Sequence, residues 1–144
     1  MTSTPVRPSA LGLTLIEVLI TLALVALLWG LAWPAYQAQM QRARRTEARQ
    51  ALVSGALWLG RMATVQGRYP AAPDWPVHLQ LSATGLYRLR YAPSEDRSAY
   101  TLSATPEPGP QQSDPCGTWV LDQAGERRLA DGASPALIRA CWGR

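Results

Sequence analysis

Between Leu13 and Trp33 the chain places twenty-one residues that carry one charge, Glu17, and twelve of them are leucine, isoleucine or valine. At about 1.5 Å per residue such a helix spans roughly 31 Å, the thickness of a hydrocarbon core. The pattern then changes. Ala48, Leu52, Ala56, Leu59 and Ala63 recur at helical spacing, with Glu47, Gln50, Ser54 and Arg61 on the opposite stripe. This predicts an amphipathic helix running to about Gln66, with Gly67 as its C-cap. Residues 71–78 are rich in turn formers and read as an irregular connection. Alternation resumes at Leu86–Tyr91, where Tyr87, Leu89 and Tyr91 share a face, and at Ser98–Thr105, where Tyr100, Leu102 and Ala104 do. Residues 106–115 hold four prolines, so no strand crosses them. Thr118–Leu121 and Arg127–Leu129 flank a turn at residues 122–126 and read as a hairpin. Three or four antiparallel strands on one long helix make an α+β domain.

The chain has 144 residues and is 47% apolar, enough for a packed core. It contains no lysine, so its fourteen basic residues are all arginine, and against ten carboxylates they give a net charge of +4. That excess is too small to prove a nucleic-acid partner. His78 is the only histidine and the cysteines are Cys116 and Cys141, which cannot make a zinc site of three or four nitrogen and sulfur ligands. No nucleotide-binding loop, paired catalytic carboxylates or nucleophile with its base is found, and Glu95 and Asp96 adjoin in a turn and point apart. The chain therefore reads as non-enzymatic and free of metal and cofactor. An even cysteine count pairs by default in an oxidising compartment, and a ring of twenty-six residues would contribute about 3.5 kcal/mol by loop entropy. Two buried free thiols are the alternative.

Three readings of the apolar segment compete. A cleaved secretory signal would be cut near Gly30-Leu31-Ala32, but the apolar run is longer than the usual 7–15 residues and holds an acid. A plain signal anchor would explain Glu17 as a first-turn acid favoured by the helix dipole. The flanking charges, Arg7 before and Arg42, Arg44, Arg45 and Arg49 after, would by themselves place the large domain in the cytoplasm. The third reading begins with Gly12-Leu13-Thr14-Leu15-Ile16-Glu17-Val18, which resembles the prepilin cleavage motif of type IV pilins and the related pseudopilins. Trp33-Pro34-Ala35-Tyr36-Gln37 is similar to the pilin segment that follows at a fixed distance. Leu13 departs from the commonest phenylalanine, and Arg7 sits further from the cut than the basic residue of many leaders.

The resemblance implies a leader at residues 1–12, cleavage between Gly12 and Leu13 by a prepilin peptidase, and N-methylation of Leu13. It implies a membrane and filament-core helix at residues 13–36, and a pilin domain at residues 37–144 that includes the second half of the long helix. Together these make the lollipop shape of pilins. Glu17 would then meet the terminal amine of a neighbouring subunit, since an unpaired carboxylate among apolar helices is costly. Pro34 lacks an amide hydrogen and would kink the helix or loosen it near Gly30 and Leu31. The cysteine pair and the resemblance both put the domain in the periplasm, with the protein first in the inner membrane and later in an extracellular filament.

Further blocks narrow the family. Residues 42–49, 100–106, Asp114-Pro115-Cys116-Gly117-Thr118, the turn at 122–125 and the ending Cys141-Trp142 look like the PilE/ComP-like minor pilins. Residues 71–85 carry no signature of their own. The resemblance implies partnership with other pilin subunits, and motility, adhesion and DNA uptake as properties of the filament. One alternative is a domain that captures DNA itself, through Arg127, Arg128, Arg139 and Arg144. Others are a type II secretion pseudopilin and an envelope protein that never assembles.

Overall fold

A computed structural model describes residues 14–130 and 132–143. Its packing divides the chain between Ala38 and Gln39 into two units, each described by itself. Gly12, Leu13 and Arg144 lie outside the described residues.

In the first unit, helix α1 (Leu15–Gln66, which continues into the second unit) starts where the hydroxyl of Thr14 accepts a hydrogen bond from the Glu17 amide at 3.4 Å. That bond satisfies one of the donors a helix start leaves free. The helix passes through Pro34 as one element, and every residue from Thr14 to Ala38 is exposed. A helix that is apolar all round and covered by nothing is built for lipid or for other helices rather than for water.

In the second unit the same helix buries Ala48, Leu52, Gly55 and Leu59, at spacings of four, three and four. The expected stripe therefore holds at Ala48, Leu52 and Leu59, but Gly55 rather than Ala56 lies at its centre because the Trp75 ring lies against it. Glu47 is not a free solvent residue. Its carboxylate accepts from the Thr84 amide and hydroxyl, both at 2.8 Å. Burial pushes its pKa up, but the hydrogen bonds from Ser82 and Thr84 outweigh that and hold it below the usual glutamate value. Gly67 closes α1 at φ +72°, its amide donating to the Ala63 carbonyl at 2.8 Å.

Four strands follow in a simple antiparallel meander: β1 (Tyr87–Pro93), β2 (Tyr100–Pro106), β3 (Trp119–Asp122) and β4 (Arg127–Leu129). One face packs on α1 and carries Tyr87, Leu89, Tyr91, Tyr100, Leu102, Ala104, Trp119, Leu121 and Leu129. The connection at residues 69–79 is irregular, with two short 3-10 turns, and it is fixed by aromatic contacts. Trp75 stacks on Tyr91, Tyr69 meets Tyr100 edge-on, and the Tyr91 hydroxyl donates to the Pro70 carbonyl at 2.8 Å. His78 sits in the second of these turns and is exposed.

The chain closes with a helix that the hydrophobic pattern did not indicate, α2 (Pro135–Trp142). Ser134 caps it through the Leu137 amide, and Pro135 occupies its first turn, where a missing amide hydrogen costs nothing. Cys141 in this helix is joined to Cys116 by a disulfide, the default pairing of the two cysteines. Trp142 meets Trp119 edge-on and donates through Nε1 to the Arg128 carbonyl at 3.0 Å. Asp114, almost wholly buried, accepts from Arg45 Nε at 2.8 Å, from the Cys116 amide at 2.8 Å and from the Gln111 amide group. These bonds hold residues 107–118 against α1.

Candidate nucleic-acid interface

The open face of the sheet carries mostly polar residues. Inward residues alternate with Arg88, Arg90 and Ala92 on β1, with Thr101, Ser103 and Thr105 on β2, with Val120 and Asp122 on β3, and with Arg128 on β4. The register sets Arg90, Ser103, Val120 and Arg128 in one row across all four strands. At about 4.8 Å per strand, the two arginines of that row lie roughly 14 Å apart, close to the width of a DNA major groove. Short side chains fill the space between them, so a broad ligand meets no obstruction. The arginines differ in their partners. Arg88 pairs with Glu107, and Arg128 lies 3.5 Å from Asp122 and 3.7 Å from Glu126, whereas Arg90 makes no ion pair among the described residues.

A groove with two arginines lies beside α1. Thr46, Arg49, Gln50, Val53, Ser54, Arg127 and Trp142 line this groove of about 420 Å³, with no carboxylate among its described residues. Arg49 donates to the Trp142 carbonyl at 2.9 Å and to the Thr46 hydroxyl at 2.8 Å, which leaves its buried Nε without a partner. The Arg127 guanidinium lies 5.6 Å from the centre of the Trp142 ring, a cation–π contact. Gly143 lies against Arg49, where a Cβ would stand 3.1 Å from Nη1, and its φ of +76° is one that side-chain-bearing residues rarely adopt.

Of the four arginines singled out for DNA, the three that are described, Arg127, Arg128 and Arg139, do not form one cluster. Arg127 and Arg128 are neighbours in a strand and point to opposite faces, Arg127 into the groove and Arg128 onto the open face. Arg139 is exposed on α2. Strand alternation alone could have separated the first two. Arg49 could not have been found that way, because its role depends on Trp142, ninety-three residues later. Glu17 is exposed in the first turn of α1 and has no cation at ion-pair distance among the described residues.

Residues 34–120 match the family model described as type IV minor pilin ComP, DNA uptake sequence receptor. The chain belongs to this family of type IV minor pilins. The high-resolution structure of a type IV pilin from Shewanella oneidensis is similar, with 35% identity over 65% of this chain and 97% of that one, at a TM-score of 0.51. No curated protein matches the sequence. The long helix with a four-stranded antiparallel sheet is accordingly a pilin fold, and the family's role is structural. The matched range takes in β1, β2 and the Arg45–Asp114 pair, and ends inside β3.

Proposed function

We propose that this minor pilin is made as an inner-membrane prepilin, cut after Gly12, methylated at Leu13, and assembled into a type IV pilus with other pilin subunits. Its domain would face the periplasm before assembly. Residues 1–12 are then the leader, residues 13–36 the membrane and filament-core helix, and residues 37–144 the pilin domain. Glu17 pairs with the terminal amine of a neighbouring subunit, and Pro34 loosens the helix locally. The exposed apolar helix supports this reading, because its one acid has no partner within the described chain. It serves as a subunit and not as a catalyst.

Within the filament we assign it DNA capture. The observation that carries this is Arg90 on the open face of the sheet, free of acidic partners among the described residues, in a family described by DNA uptake. Binding of a labelled duplex to the full chain in detergent micelles, measured by anisotropy between 50 and 200 mM salt, tests it. With two to four phosphates neutralised, the log–log slope should lie at about −2 to −4. Absent or salt-independent binding would leave the protein a structural pilin only.

A further inference from the structure

Trp29, Trp33 and Tyr36 follow one another at spacings of four and three, within about 60° of arc on α1. With Ala32 they line a notch of about 330 Å³, and 66%, 53% and 60% of their respective surfaces are exposed. Their rings are apolar with a polar handle at one end, the composition that settles where hydrocarbon gives way to headgroups. A second observation falls at the same place. Pro34 has no amide hydrogen, so the Gly30 carbonyl, one turn earlier, lacks its helical donor. In hydrocarbon that carbonyl would have no partner, whereas at the headgroup level water reaches it. Gly30 itself has nothing within 4 Å of where a side chain would stand, so the approach is open.

We infer that the Trp29–Trp33–Tyr36 notch is a phospholipid-interface site that sets the depth of the helix in the membrane before assembly. The inference rests on the membrane anchoring proposed above. With Trp33 at one interface, Glu17 lies sixteen residues further, about 24 Å, and so within roughly 6 Å of the opposite interface. The aromatic cluster thereby keeps the carboxylate away from the bilayer centre, where its charge is most costly.

The test is tryptophan quenching of the full chain in phosphatidylcholine–phosphatidylglycerol vesicles whose lipids carry bromine at acyl carbons 6 and 7 or at 11 and 12. Quenching at least twofold stronger with the shallow bromines, and lost in a Trp29→Leu/Trp33→Leu chain that still floats with vesicles, is the expected result. Equal or stronger quenching by the deep bromines would overturn the inference while leaving the anchor intact. Failure to float with vesicles would overturn both. Weak quenching in floating chains, with Trp33→Cys copies joining as dimers under oxidant, would assign the notch to a second copy and overturn the lipid site.

Discussion

Gly55 and Trp75 approach so closely that a Cβ at position 55 would lie 2.9 Å from the indole Cη2 and 3.3 Å from Leu102. Glycine inside a helix ordinarily costs about 1 kcal/mol relative to alanine. Here that cost is offset by the contact it permits, because Trp75 also stacks on Tyr91 and lies edge-on to Trp58, so the indole cannot withdraw. Overpacking by a methyl costs about 1–3 kcal/mol, so Gly55→Ala should be net destabilising, by up to about 2 kcal/mol, despite its better helix propensity. Denaturant unfolding of the full chain checks this. A stabilised Gly55→Ala chain would mean that Trp75 moves freely.

The Arg45–Asp114 pair joins α1 to the segment before the disulfide, and the Asp114 side chain is only 1% exposed. Removing the carboxylate strands a half-buried guanidinium and takes the acceptor from the Cys116 amide and from Gln111. Asp114→Ala should therefore cost about 3–5 kcal/mol, while Asp114→Asn, which still accepts a hydrogen bond, should cost less. Equal loss in the two variants would show that charge, not hydrogen bonding alone, is what the pair supplies.

That pair also shows what could be read in advance. Residues 42–49 and 114–118 each looked like pilin blocks, but nothing in either indicated that they touch. Period-two alternation was enough to place Tyr87, Leu89 and Tyr91 inward and Arg88 and Arg90 outward, because only one face of this sheet has a helix to pack on. It was not enough for Gly55, whose burial follows from a tryptophan in an irregular connection twenty residues later. Helix α2 was missed because eight residues hold too few turns for a periodic signal, although Ser134-Pro135 is a start signal of its own kind. The groove at Arg49 was illegible, since it forms only where α2 returns to α1.

Both ends of the pH range should weaken the fold, through different groups. Hydrogen bonds from the Ser94 and Ser98 side chains and the Ser98 amide hold Asp96 down at about 2, against 3.8 for a free aspartate. A depressed carboxylate contributes stability that is present above about pH 3.8 and lost as pH falls through about 2. The melting temperature should fall across that window, and less so in Asp96→Asn. At high pH, burial pushes Tyr87 and Tyr91 up to about 12, with the neighbouring Tyr69 adding to the shift at Tyr91. Their neutral forms favour the fold fully below pH 10, and that contribution disappears as pH rises through about 12. Ultraviolet titration of phenolate against circular dichroism should find these tyrosines ionising together with unfolding.

DNA binding, finally, should discriminate between the faces. Arg90 has no acidic partner among the described residues, so its donors reach a phosphate without first breaking a described ion pair, whereas Arg128 must leave Asp122 and Glu126. Arg90→Ala should weaken duplex binding evenly across sequences and make the salt slope shallower by about 1. Arg128→Ala should have a smaller effect, because the two carboxylates it leaves behind already offset its charge. Arg139 stands on α2 and is not in the open-face row, so Arg139→Ala should leave the slope unchanged. If Arg127→Ala or Arg49→Gln lowers the slope and Arg90→Ala does not, the phosphates lie in the groove beside Trp142 and the open face of the sheet is not the DNA surface.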